Sequence, residues 1–241
     1  MNIFLIFAFL FFAGSTCGWG LEVVFRRFFS KNNPLKKWVN PGFLNGTYLP
    51  IYGFGLCALY AMTMLEKFIY VDNAVVQKLI LFIMMAAAMT AIEYIAGIIF
   101  IKGMKIKLWD YSEEWGNVQG IICPKFSFFW AVLSAMYYFL IHPQVLDGIR
   151  WLSENLAFSF FIGLFFGVFI IDVSYSLNLI VKIRRFAEEN KIIIKYEHLK
   201  DEINSRAMEG QKNVLNFLLQ FRSELTLKES LEAHLKHLKR K

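Results

Sequence analysis

Five long apolar stretches separated by short polar segments fill the first 180 positions of the chain, at about 2–25, 48–65, 79–101, 121–141 and 156–181. A helix needs about 20 mainly apolar residues to cross about 30 Å of hydrocarbon. All five stretches qualify, although the second is short. Helix is the expected state, because within lipid each segment must satisfy its own backbone. The dyad alternation of barrel strands is absent. Pro124 interrupts the start of the fourth stretch. The reading is all-α: a polytopic bundle of about five transmembrane helices.

After about residue 182 the pattern changes. Ile192, Tyr196, Leu199 and Ile203 recur at helical spacing, and Val214, Leu218, Phe221 and Leu225 make a second stripe after Gly210. Thr226 and Glu229 have capping-box spacing, ahead of Leu227, Leu231, Leu235 and Leu238. This predicts a membrane domain over 1–183 and a helical or coiled-coil tail over 184–241.

Charge sets the expected orientation. The first and third polar loops carry nine Lys and Arg: Arg26, Arg27, Lys31, Lys36, Lys37, Lys102, Lys105, Lys107 and Lys125. The alternate loops carry three: Lys67, Lys78 and Arg150. By the positive-inside rule the first and third loops and the tail are cytoplasmic and the N-terminus is outside. The first apolar stretch has no Lys or Arg before Arg26, so it reads as a retained span and not as a signal peptide.

Charged residues make up 19% of the chain, below the quarter usual for soluble domains, and they concentrate after residue 180. Cys17, Cys57 and Cys123 lack metal or redox spacing and read as inert thiols. His234 and His237 lie three apart without further ligands, so no metal and no cofactor are expected. The tail mixes both signs without aromatic-basic interleaving; anionic lipid suits its basic end better than nucleic acid.

Candidate chemistry gathers toward one face. The first loop closes on Asn40-Pro-Gly-Phe-Leu-Asn45-Gly-Thr-Tyr48-Leu-Pro50-Ile-Tyr52-Gly53, a run of turn formers that prescribes a shaped backbone before the second helix. It is either a re-entrant approach or a tight surface turn. The third loop holds Trp109-Asp110-Tyr111-Ser112, Asn117 and Gln119. Asp110, Ser112, Asn117 and Gln119 are within reach of the first loop if the two meet. Glu22, Glu93 and Asp172 lie inside apolar stretches. An acid at mid-bilayer costs about 2.5–3.5 kcal/mol, which must be compensated. Two explanations stand: an ion, proton or substrate path, or neutralisation by Tyr, Ser, Asn or loop amides for packing. Glu22 is close enough to reach Arg26 or Arg27. Gly14-xxx-Gly18 and Gly163-xxx-Gly167 fit close helix contacts, within the chain or in a homodimer.

No P-loop, HExxH or GxSxG motif is present, so the chain is not itself a P-loop ATPase, and no nucleophile–base motif marks an enzyme. One enzymatic alternative is a leaflet-facing site of Asn45, Tyr48, Asp110, Tyr111 and Asn117 with an acid as base. Another alternative is an anchor or sensor whose tail recruits a partner.

Gly18-Trp19-Gly20, Phe43-Leu-Asn45-Gly46, Pro50-Ile-Tyr52-Gly53, Glu93-Tyr94, Trp109-Asp110-Tyr111-Ser112, Asn117-x-Gln119-Gly120 and His142-Pro143 appear in one order. In this order the chain resembles small bacterial multi-pass proteins named as type IV ABC-transporter permeases, over about residues 10–180. The family loop often has Pro where Thr47 stands and a small or thiol residue where Leu49 stands. The resemblance implies a bacterial cell-membrane permease energised by a separate ATP-binding-cassette subunit, with the two cytoplasmic loops available to dock it. Five spans are few for a translocation path, which implies a homodimer or a second membrane subunit.

Overall fold

The computed structural model describes residues 2–29, 33, 36–196, 199 and 231–232. The tail stripes beyond Leu199, apart from Leu231, lie outside the described residues, as do the Thr226–Glu229 box, His234, His237 and the basic end. The helices are α1 (Ile3–Phe28), α2 (Pro50–Leu65), α3 (Ala74–Ile98), α4 (Pro124–Met136), α5 (His142–Glu154) and α6 (Ser159–Glu189). Two-residue strands β1 (Ile106–Lys107) and β2 (Ile194–Lys195) pair in parallel. Among the described residues four helical stretches are long and apolar enough to cross a membrane: Ile3–Phe28, Ala74–Gly103, Pro124–Glu154 and Leu156–Glu189. The fold is an all-α membrane bundle, as the apolar pattern predicts. α2 has 16 residues and continues as a 3-10 turn through Phe68.

Two elements depart from the expected pattern. The fourth apolar stretch ends at Ile141, yet the helix does not. A π-helical turn, Tyr137–Ile141, joins α4 to α5 without a break. Pro143 follows directly on this widened turn, where an interior proline leaves the helix ladder one N–H short. The helix expected to include Ile192 begins later. Lys191 has φ +53°, and Ile194 and Lys195 are extended in β2. A run of three β-branched residues, Ile192 to Ile194, favours strand over helix. Lys105, just before β1, has φ +57°. α3 and α6 thus hand over to strands through the same left-handed lysine, and the strands run parallel.

The chain forms two compact units. Unit 1 comprises Met1–Gly20, Tyr48–Ala96 and Tyr111–Val168; unit 2 comprises Leu21–Thr47, Gly97–Asp110 and Phe169–Lys241. In unit 1, Leu59, Leu81, Met85, Met89 and Tyr137 make the buried core between α2, α3 and α4. Gly14 and Gly18 let α1 approach α2 closely. A Cβ at Gly18 would lie 2.3 Å from the Cβ and Cγ of Tyr52, and one at Gly53 would lie 2.2 Å from the Ser15 hydroxyl. The first small-residue pair is thus used inside the chain. Gly163 and Gly167 meet nothing within 4 Å among the described residues.

In unit 2, Ile106, Ile180, Ile183, Ile194, Tyr196 and Leu199 are buried together, joined by Leu231. Tail residues therefore share a core with the loop after α3 and the end of α6. The N–H of Ile194 donates to the Lys105 carbonyl at 3.0 Å, extending the strand contact.

Candidate functional site

Two acids inside apolar helices carry the most defined polar chemistry, one in each unit. In unit 1, Glu93 on α3 is 5% exposed. Its Oε2 accepts from Trp130 Nε1 on α4 at 2.9 Å, and its Oε1 accepts from the Tyr111 hydroxyl at 3.0 Å. One turn earlier, Thr90 donates to Ser127 at 3.2 Å, so the same faces of α3 and α4 meet through polar groups twice. Both partners of Glu93 are neutral, and among the described residues no Lys or Arg pairs with it. Charge-assisted bonds to the two donors offset part of the desolvation cost. A carboxyl so held can keep a negative charge, take up a proton or exchange a donor for a small cation.

Tyr111 reaches Glu93 from a built loop. Its ring stacks on Phe126 at 4.2 Å, and its N–H donates to the Gly120 carbonyl at 2.9 Å. Asn117 shapes the turn. Its amide donates to the carbonyls of Ser112 and Glu114, and its oxygen accepts from the Gly120 N–H. Gln119 has φ +56° and Gly120 φ +66°, consecutive left-handed positions that close the turn. Asn117 and Gln119 therefore support the loop that carries Tyr111.

In unit 2, Asp172 on α6 receives the first loop. Its Oδ1 accepts from the Asn45 N–H at 3.2 Å, the Asn45 side-chain amide at 3.1 Å and the Ser176 hydroxyl at 3.2 Å. Its Oδ2 accepts from the Gly46 N–H at 2.8 Å. Asn40, fully buried, makes that presentation rigid: its amide donates to the carbonyls of Leu44 and Asn45. These described partners of Asp172 are an Asn, a Ser and loop amides. Buried Tyr196 lies close enough to feel the Asp172 charge; burial first, and that charge second, raise its phenol above the ordinary range.

The remaining residues singled out from the sequence fall as follows. Glu22 pairs with Arg26 at 2.9 Å, as its spacing predicts. Asp110 pairs with Lys107 at 2.6 Å. Tyr48 is buried in unit 1 with its ring edge-on to Phe165, and Tyr52 packs on Gly18. The structure thus joins Glu93 with Tyr111 and Asn45 with Asp172. Trp130, and the part Asn40 plays within the turn-forming run, are additions that the structure makes. A tryptophan deep in an apolar stretch, away from the interface where the residue prefers to lie, was the available signal for the first.

A further polar group, also in unit 1, involves Glu66, Lys78 and Tyr138. Lys78 bonds both Glu66 and the Tyr138 hydroxyl, and that hydroxyl donates to Glu66 at 2.8 Å.

A model of the family described as "Putative ABC-transporter type IV" matches residues 9–177. No curated protein and no solved structure matches the chain. The matched span includes Glu93, Tyr111, Trp130 and Asp172 and stops before the tail.

Proposed function

The chain belongs to this ABC-transporter-related family, and on that premise we propose that it is the membrane-spanning permease subunit of a transporter in the bacterial cell membrane. Energy comes from a separate ATP-binding subunit, since this chain carries no phosphate-binding loop.

The observation that carries the topology is the composition of unit 2. It gathers the end of α1 with the first loop, the end of α3 with its loop, and the end of α6 with the start of the tail. Phe43 and Phe100 stack edge-on at 4.9 Å, Ile106 pairs with Ile194, and Asn45 bonds Asp172. In a bilayer, α1, α3 and α6 then all end on one side. α2 must cross away for α3 to return, and α4 must cross away for α6 to return. That gives five crossings. α2 with its 3-10 turn rises about 30 Å, enough for the hydrocarbon. With the lysine-rich loops cytoplasmic, unit 2 faces the cytoplasm and offers the docking surface for the ATP-binding subunit. Glu93 is the pathway acid of this reading, and Asp172 shapes the docking side.

The test is purification of the tagged full chain from native membranes in mild detergent. A stoichiometric ATP-binding-cassette protein is the expected companion. Its absence, repeated after crosslinking in intact cells, would overturn the permease assignment.

A further inference from the structure

We propose that Glu66, Lys78 and Tyr138 form a polar gate closing the end of unit 1 farthest along α3 from Glu93. The idea rests on the transporter reading above. Lys78 and Glu93 lie 15 residues apart on α3, or about 22 Å along its axis. Between them Leu81, Met85 and Met89 are fully or nearly fully buried on the face that meets α2 and α4. This stretch of α3 therefore has a polar group at each end and a dry, thioether-rich middle. Methionine is the side chain best able to repack when neighbouring helices shift.

Three elements converge on the gate. Glu66 ends α2, Lys78 lies near the start of α3, and Tyr138 comes from the π-helical turn after α4. Lys78 lies 4.0 Å from the centre of the Tyr138 ring as well as bonding its hydroxyl. The π turn makes the arrangement. It sets Tyr137 and His142 five residues apart yet in contact, hydroxyl to Nδ1 at 3.0 Å. The His142 ring lies nearly parallel to Tyr138, 6.1 Å away and 13° off. Single π turns inside α-helices are frequent at functional sites. Closing this one to α-helix changes the register by one residue, which would break the Tyr137–His142 contact and turn Tyr138 away from Lys78. Gln77, beside Lys78, anchors the α2–α3 connection by donating to the carbonyls of Glu66 and Ile69. The connection stays fixed while the side-chain bonds can open. The ion pair is only partly covered, with side-chain exposures of 30% and 23%.

The test replaces the three cysteines by alanine in the full chain, adds Met85→Cys, and follows labelling by a membrane-impermeant thiol reagent in oriented membranes. The parent should label slowly from either side. Glu66→Ala or Lys78→Ala should raise the rate about ten-fold or more, the factor by which losing a hydrogen bond to a charged group shifts an opening equilibrium. The rise should occur only from the side opposite the lysine-rich loops. The charge-exchanged pair Glu66→Lys with Lys78→Glu should return it toward the parent rate. If Met85→Cys folds poorly, Leu81→Cys serves the same purpose. Unchanged labelling in folded single variants overturns the gate, as does a rise from both sides with loss of the folded species. Neither result depends on finding an ATP-binding partner, so failure of the gate and failure of the permease assignment are separable.

Discussion

Replacing Asp172 by alanine removes at least four hydrogen bonds at once, three of them from Asn45 and Gly46. A hydrogen bond to a charged group contributes about 1.5–3 kcal/mol. The simple sum overstates the loss, because Asn45 and Gly46 are half-buried and water can replace part of what the carboxylate supplied. The expected net cost to the closed loop is about 2–3 kcal/mol. At 1.36 kcal/mol per decade this is about 30- to 150-fold faster amide exchange. Hydrogen–deuterium exchange of a peptide covering residues 43–47, measured on the full chain in detergent or nanodiscs, reads it directly. Asp172→Asn should fall between. Its oxygen can keep the Oδ1 partners, while its amide opposes the Gly46 N–H, for a loss of about one bond and about ten-fold faster exchange. If Asp172→Ala leaves exchange over 43–47 within about three-fold of the parent in a folded protein, the carboxylate does not hold this loop, well short of what one such bond contributes.

Gly18→Ala should destabilise the α1–α2 contact by about 1–3 kcal/mol, the usual cost of overpacking, because the new methyl would overlap Tyr52, whereas Gly163→Ala should be close to neutral; melting in detergent compares the two. Removing residues 192–241 should uncover Ile106, Ile180 and Ile183 and lower melting temperature with aggregation. A monodisperse truncated protein with unchanged melting would refute the shared core.

The helices could be read from the chain because apolar runs in a membrane leave the backbone little choice. The Glu22–Arg26 pair followed from one-turn spacing. The partners of Asp172 could be named only by type, since Asn45 and the loop amides sit 127 and 126 positions away in sequence. The Tyr138 cluster was hidden for another reason. Tyr137 to Ile141 is uniformly apolar and aromatic, and nothing in such a run marks where the period widens from α to π. The helix past Ile141 was missed because polarity rises there. It persists as an amphipathic segment with Leu152 fully buried. Ile192, Tyr196 and Leu199 have helical spacing, yet local β-branching and a left-handed Lys191 make Ile194–Lys195 a strand.

The parallel pairing of Ile106 with Ile194 also sets a timetable. The loop strand leaves the ribosome 88 residues before its partner, which at about 5–20 residues per second is a wait of roughly 4–18 s. During that interval α4 to α6 insert while the strand edge at Ile106 and the apolar side chains around it stand uncovered. Unit 2 is therefore finished only after α4 to α6 have been made. A partner that recognises the finished unit meets only chains whose insertion is already complete.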